Sequence, residues 1–329
     1  MMGISVSPLY FFAGMWSTRI KVLDLFLLLA SIYLLRQLSN QLSYLSSIQK
    51  GYLHEESFSQ QKQMPHMIQS PPILLSKTNR NIWMVLINND YVSNTIGTTG
   101  EWEPLTTKYL ERNVCEGDIV VEAGANIGYY TALLGTLVGN GGKVYSFEAN
   151  KETYELATLT LKMNDLHSHV QIQNVAIANS NGFANLTYQP ISSAKSMYIN
   201  TGGSHLQTKN SKPLSNSITV RTVTLDSALP FVMNVSWLRM DIEGAEIMAI
   251  EGAQRIIQQS PNIKILMEWN RLLLEGFSDV SRFIDSMHQE GFKFYRLGWS
   301  SENQKPLSKE MLLSMGQTDE DLLLTRSHP

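Results

Sequence analysis

Glu122, Gly124, Asn126 and Gly128 fall within eleven consecutive residues, Val121-Glu122-Ala123-Gly124-Ala125-Asn126-Ile127-Gly128-Tyr129-Tyr130-Thr131. Glycines in such a turn let backbone approach a bound molecule without interference from Cβ, and ligands of open α/β sheets bind at the carboxyl ends of strands. An acid just ahead of the turn, Glu122, accepts hydrogen bonds from a cationic amino group or orients the loop itself. That requirement matches the methionine moiety of S-adenosylmethionine. Twenty residues past Gly128, Glu148 stands in Phe147-Glu148-Ala149-Asn150. An acid at that place accepts from both hydroxyls of a ribose. Either glutamate alone reads as a capping or solvent-exposed acid; two of them on consecutive strand ends favour a nucleoside site. A nicotinamide or flavin enzyme shares this arrangement, but its G-x-G-x-x-G fingerprint needs a central glycine beside a pyrophosphate. Here Asn126 occupies that position and the third downstream glycine is missing. The asparagine can instead bond a carboxylate, so the spacing favours S-adenosylmethionine.

A second acidic group lies in Arg239-Met240-Asp241-Ile242-Glu243-Gly244-Ala245-Glu246, with three carboxylates inside six positions. Such a cluster can bind a metal, supply a general base, or orient a cofactor amine. Glu243 and Glu246 also suit the first turn of a following helix, where acids stabilise the N-terminus. Asp241, at the end of a central strand, is the leading candidate for a catalytic or substrate-orienting carboxylate. Glu268, in Met267-Glu268-Trp269-Asn270, has the same positional support with a structural role equally open. His167, His169 and His205 read as surface histidines. Trp102 and Glu103 are placed to cover a cofactor, with core packing the plainer reading of Trp102.

These groups need a frame, and the apolar pattern supplies one. Buried strands are expected at Ile119-Ala123, Val144-Phe147, Val170-Ile177, Trp237-Met240 and Ile263-Met267. Helices over 127–138 and 151–163 lie between the first three, the alternation of a doubly wound, mostly parallel α/β sheet. Ile82-Ile87 reads as a strand and Glu101-Arg112 as a helix with Pro104 in its first turn. Phe292-Leu297 and Leu322-Thr325 suit a closing hairpin at one sheet edge. The stretch from Gln189 to Ser217 is rich in Ser, Thr, Asn and Gly and has no strong period, which in a compact domain marks a functional or disordered loop.

Upstream, an apolar run over residues 22–35 is preceded by Arg19 and Lys21 and closed by Arg36. It is shorter than the roughly 20 apolar residues a spanning helix needs. An uncleaved signal anchor, a cleaved signal peptide and an amphipathic helix continuing through Leu38, Leu42, Leu45 and Ile48 all fit. Anchoring ranks above cleavage because no small-residue cleavage site follows, and Arg19 and Lys21 favour a cytosolic N-terminus. The alternative to a membrane location is the cytoplasm. The chain therefore divides into an N-terminal hydrophobic helix (1–48), a polar linker (49–78) and a catalytic domain (79–329).

Composition narrows the partners. With 26 Lys plus Arg against 29 acids, the formal charge is −3, which argues against nucleic acid as substrate. One cysteine, Cys115, rules out an internal disulfide framework and a cysteine-based zinc site.

Taken together, Gly117-Asp118 through Gly124-Ala125-Asn126-Ile127-Gly128-Tyr129-Tyr130-Thr131, Phe147-Glu148-Ala149-Asn150, Asn174-Val175-Ala176-Ile177, Val223-Thr224-Leu225-Asp226 and Met240-Asp241-Ile242-Glu243-Gly244-Ala245-Glu246 resemble the FkbM family of methyltransferases. The motifs run in family order from about Glu101 to Leu297. The resemblance implies a class I, Rossmann-like methyltransferase fold and transfer of a methyl group from S-adenosylmethionine to a hydroxyl oxygen, on acceptors that include macrolide and saccharide hydroxyls. By the same resemblance Glu122, Gly124, Asn126 and Gly128 form the cofactor loop, Glu148 binds ribose, Ala176 lies near adenine and Asp241 closes the site. This chain has Glu122 and Ala149 where the family often has Asp and Pro, and it departs most over Ser192–Ser217. The expected reaction is in-line displacement at an already activated methyl, with the protein contributing position, desolvation and a base, and with no metal required. The rival readings are an NAD(P)-dependent oxidoreductase and a membrane-tethered binding protein of the same fold without turnover.

Overall fold

Continuous apolar strands set between helices can be buried only in a sheet covered on both faces, and that is how the chain folds. The computed structural model describes residues 73–192, 198–208, 216–297, 305–316 and 320–326. In chain order, an antiparallel pair comes first, β1 (Ile73–Lys77) and β2 (Trp83–Ile87), followed by α1 (Tyr91–Thr99) and α2 (Pro104–Asn113). Next come β3 (Ile119–Ala123), α3 (Tyr129–Val138), β4 (Lys143–Phe147), α4 (Lys151–Met163) and β5 (Val170–Gln173). Four short strands then form a separate sheet: β6 (Ala176–Ile177), β7 (Gly182–Thr187), β8 (His205–Leu206) and β9 (Ser217–Val223). The chain returns to the main sheet with β10 (Trp237–Met240), α5 (Glu246–Glu251) and β11 (Lys264–Trp269). It closes with α6 (Val280–Gln289), β12 (Lys293–Arg296) and β13 (Glu320–Thr325).

The main sheet has seven strands in the order β12-β13-β11-β10-β3-β4-β5. The run from β11 to β5 is parallel throughout, while β13 inserts antiparallel between β11 and β12. Order therefore reverses between β3 and β10. At such a switch point the loops leave in opposite directions and open a crevice beyond the strand carboxyl ends.

Both faces of the sheet are dry. Val121, Ala123, Phe147, Leu238, Met240, Ile265 and Met267 join one core cluster with the helices behind them. Each large apolar side chain contributes about 1.5–3 kcal/mol on burial, so the strand ends that carry the polar groups are held by their apolar neighbours. Val280, Phe283, Ile284 and Met287 place the apolar face of α6 on that core.

Two expectations need correction. Ile73–Lys77 falls in the stretch expected to be linker, yet it pairs with β2 over its full length. The strand expected over Val170–Ile177 is two strands in two sheets: β5 pairs with β4, and β6 pairs with β9. The break is at Asn174, whose side-chain amide donates to the carbonyls of Glu148 and Ala149. The expected closing pair does form: β12 and β13 pair antiparallel at one edge of the sheet, with β12 outermost. The expected hydrophobic helix, with its apolar run over 22–35, lies outside the described residues. Among the described residues no helix is long and apolar enough to cross a membrane.

Candidate active site

The crevice is a cavity of about 770 Å³, a size typical of a small-molecule site. Gly124, Asn126, Glu148, Ala176 and Asp241 all line it. Two of the expected cofactor residues, Glu122 and Gly128, are not in its wall.

The loop after β3 is built tightly. The N–H groups of Gly124 and Ala125 both donate to the Phe147 carbonyl, at 2.9 and 3.1 Å. Gly124 has φ +91°, and a Cβ there would lie 1.9 Å from the Asp241 carbonyl oxygen. Only glycine permits that approach between the ends of β3 and β10. Gly128 serves packing instead, because a Cβ there would meet the Ala157 backbone at 2.9 Å and push α3 away from α4. Asn126 takes φ +49°, a left-handed conformation that asparagine tolerates. Its Oδ1 is buried without a hydrogen-bond partner among the described residues.

Glu148 joins this loop to the next strand. One carboxylate oxygen accepts from the Asn126 N–H at 2.7 Å and the other from the Asn150 N–H at 2.8 Å. Burial raises its pKa, and those two backbone donors work in the opposite direction. Each oxygen keeps a further lone pair for a hydroxyl donor. Val175, Ala176 and Ile177 add an apolar wall beyond it. A diol acceptor beside an apolar slot, with an unpartnered amide oxygen nearby, suits ribose, adenine and an amino-acid end in that order. The residues present therefore fit S-adenosylmethionine.

Glu122 is beneath the loop. It is fully buried, and its Oε2 accepts from the Thr131 and Ser146 hydroxyls, both at 2.6 Å. Its other oxygen lies 3.6 Å from Arg239 Nη1. This position allows Glu122 to orient the loop and leaves it out of direct contact with an amino group. Arg239 extends the link: it donates to the Gly124 carbonyl at 3.2 Å and to Asp241 Oδ2 at 2.9 Å, and its guanidinium lies 4.1 Å from the Tyr130 ring centre. Burial works against the Arg239 charge, but Asp241 and Glu122 outweigh it and raise the arginine above its ordinary value.

At the Asp241 end the wall is acidic. Glu103, Glu243, Glu268 and Asp321 line it with Asp241. Carboxylate oxygens of Asp241, Glu243 and Glu268 lie within 4.8 Å of one another, a grouping able to hold a cation. Burial, followed by the charges of Asp241 and Glu243, pushes the Glu268 carboxyl well above the usual carboxylate range. Glu268 stands opposite Asp321 in the β11–β13 register. Glu246 is the first residue of α5 and is buried; it accepts from the N–H groups of Ile242 and Gly244 at 2.8 and 3.0 Å and so shapes the loop that carries Asp241 and Glu243. Glu243 itself precedes the helix, with φ +53°.

A further part of the wall, with Gly202 close to Asn126, comes from the stretch expected to be a functional or disordered loop. Asn200–Gly203 includes a short 3-10 turn, fixed because the Thr201 N–H donates to Asp90 Oδ1 at 2.8 Å while Asp90 Oδ2 accepts from Ser93 N–H. Trp102 lines the cavity and packs edge-on against Tyr91. His167, His169 and His205 are outside the cavity wall.

Sequence reasoning passed over Arg239, Tyr130 and Asp321. A charged residue in the buried strand Trp237-Leu238-Arg239-Met240 is itself a signal, because an arginine there demands an acidic partner. Asp321 carries no such local signal; only the insertion of β13 brings it to the site.

The family model described as Methyltransferase FkbM domain matches residues 122–294. No curated protein matches the chain. Among solved structures, the chain is similar to an O-methyltransferase from Bacillus cereus in complex with SAH, at 15% identity over 68% of this chain and 82% of that one, TM-score 0.41. It is also similar to a SAM-dependent O-methyltransferase from Thermotoga maritima, at 15% identity over 78% of each chain, TM-score 0.39. A precorrin-6y C5,15-methyltransferase from Geobacter metallireducens is similar at 8% identity over 68% of this chain and 87% of that one, TM-score 0.38. The family match covers more than half of the chain and includes the carboxyl ends of β3, β4, β10 and β11. The protein belongs to the FkbM methyltransferase family, with S-adenosylmethionine as its methyl donor.

Proposed function

We propose that the protein transfers the methyl group to a hydroxyl oxygen of a small-molecule or saccharide acceptor. The observation that carries this reading is the acid-lined end of the cavity, where Glu103, Asp241, Glu268 and Asp321 converge beside the cofactor loop. Carboxyl groups in a half-buried cleft bind hydroxyls well, as acceptors when charged and as donors when neutral. Gly124, Asn126, Glu148 and Ala176 hold the cofactor in this reading, while Glu122 and Gly128 support the loop from behind. Asp241, kept in place by Arg239, faces the acceptor and orients its hydroxyl. Family membership displaces the oxidoreductase alternative.

The apolar run over 22–35, with basic residues on both sides, supports a membrane anchor as part of the same proposal. Retention of the full chain in membranes after alkaline extraction is the expected result, and release would remove the anchor.

Calorimetric titration of the full chain with S-adenosylhomocysteine, followed by an acceptor screen over hydroxylated compounds including sugars, tests the function. Micromolar binding that collapses in Glu148→Ala, with methyl ether formation in the screen, is expected. Binding with methylation only of amines or carbons would refute transfer to oxygen. Absence of binding by the folded chain would favour the form without turnover.

A further inference from the structure

Glu103 has an unusual combination of features for a residue at the start of a helix. It is the N-cap of α2, yet its side chain makes no capping hydrogen bond. Its backbone is left-handed, with φ 39° and ψ 76°. A non-glycine residue takes that conformation at a cost, and such strain collects where a side chain must be aimed. Pro104 behind it, with φ fixed by its ring, starts the helix and leaves Glu103 outside. The side chain lines the cavity, where Oε2 accepts from the Tyr130 hydroxyl at 2.8 Å. Tyr130 is fixed in turn, with Arg239 on its ring face. Burial and the Glu103 charge raise the Tyr130 pKa well above its ordinary value, so its hydroxyl stays a donor. The Glu103 Oε1 is the oxygen left to face an acceptor.

We propose that Glu103 is the proton acceptor for the hydroxyl that is methylated. This rests on the transfer to oxygen proposed above. Most of the other carboxyls at the site are held by structural partners, and Asp241 serves to orient the hydroxyl. Asp241 is bound to Arg239, Asp321 accepts from the Thr106 hydroxyl, and Glu148 and Glu246 each hold two backbone N–H groups. Burial and the neighbouring carboxylates push Glu268 toward its protonated form. In the reaction the acceptor oxygen bonds to the methyl carbon as the carbon–sulfur bond breaks, its electron pair passing to sulfur and the hydroxyl proton to Glu103 Oε1. A sulfonium and a carboxylate are replaced by a thioether, a methyl ether and a neutral acid, so the half-buried site loses two charges together. The groups facing Glu103 suit that end point. Burial, then the Asp321 and Asp241 carboxylates, push it up to about 7, against the opposing pull of Arg239 and the Tyr130 hydroxyl. A base titrating near the working pH accepts and returns protons most efficiently.

The test needs no acceptor. Full-length protein carrying glutamate labelled with 13C at Cδ is titrated by NMR, with the Glu103 resonance identified by its absence in Glu103→Gln. Because that variant could misfold, Tyr130→Phe provides a second identification, since loss of the donor must move the same resonance to a higher midpoint. Midpoints are compared with S-adenosylhomocysteine, whose sulfur is neutral, and with S-adenosylmethionine, whose sulfur is cationic. A unit charge about 8 Å away at an effective dielectric of about 20 moves a carboxyl by about 1.5 pH units. A midpoint lower by about 1 unit or more with S-adenosylmethionine is the expected result. The same midpoint in both complexes would place Glu103 too far from the reacting methyl and overturn the proposal. Failure of both compounds to bind, read by calorimetry on the same samples, would instead remove the cofactor reading beneath it.

Discussion

Changing Arg239 to methionine keeps most of the apolar stem and deletes the charge that Glu122 faces in the interior. Arg239 is 4% exposed and Glu122 is 0% exposed, so water cannot take over the lost role. The Thr131 and Ser146 hydroxyls stay bonded to Glu122 Oε2, but Oε1 loses the guanidinium 3.6 Å away, and the Gly124 carbonyl loses its donor. Breaking a buried pair by removing one partner costs about 3–5 kcal/mol, a large part of the roughly 5–15 kcal/mol that holds a domain together. The sign of the pH dependence follows from Glu122. Burial already holds its carboxyl above the usual range and Arg239 opposes that, so the variant raises it further. A folded-state value above the unfolded one means that the folded protein binds the extra proton. Stability is then fully present below about pH 4.3 and is lost as pH rises, by up to about 1.4 kcal/mol per unit. Urea unfolding followed by tryptophan fluorescence at about pH 5 and about pH 8 should therefore show the larger deficit at the higher pH. Adding Glu122→Gln should recover about half of the loss at the higher pH, because the stranded charge is gone. A deficit under about 1 kcal/mol, or a double variant no more stable than the single one, would falsify the assignment of Arg239 as the neutralising partner of Glu122.

Further outcomes follow from the same geometry. Gly124→Ala places a methyl 1.9 Å from the Asp241 carbonyl oxygen at φ +91°, so it should separate the ends of β3 and β10, destabilise the fold by about 2 kcal/mol or more and weaken S-adenosylhomocysteine binding at least tenfold by calorimetry. Glu246 is pushed up to about 7, chiefly by burial, so it costs the folded state about 1.4 kcal/mol for each unit of pH rise between about 5 and 7; Glu246→Gln should flatten the fall in urea midpoint over that range, and an unchanged slope would count against a protonated Glu246. Asp241→Asn should lower kcat at least tenfold while the Kd of S-adenosylhomocysteine changes less than threefold; equal losses in both would reassign Asp241 to cofactor binding.

The sheet was legible because its strands are short apolar runs bounded by turn residues, and Val120, Val121, Val144, Leu238 and Ile265 are indeed fully buried. The loop from Gly124 to Gly128 and the acid at 148 were legible for the same local reason: spacing along one strand and one turn fixes both. What failed was set by distant partners. Ile73–Lys77 is short and largely uncovered, with no clean alternation, and its strand identity comes from β2. The split after Gln173 depends on Asn174 reaching the Glu148 and Ala149 carbonyls, which no periodicity encodes. For Glu122 the sequence left open a bond to an amino group or a role in orienting the loop, and only the register, which sets it beside Arg239 across strands remote in sequence, favours the second. Glu103 and Asp321 reach the same cavity from opposite ends of the domain, and only the fold brings them together.

The insertion of β13 between β11 and β12 has a consequence for synthesis on the ribosome. Until Glu320–Thr325 emerges, β11 presents a bare edge, and the places filled by Leu322, Leu323 and Leu324 have nothing to cover them. An unpaired parallel edge with an uncovered apolar strip is a template for intermolecular pairing. The nascent chain therefore carries its methyl-transfer motifs beside a sticky, unfinished edge from the completion of β11 until β13 emerges, and chaperone demand should fall once β13 is released.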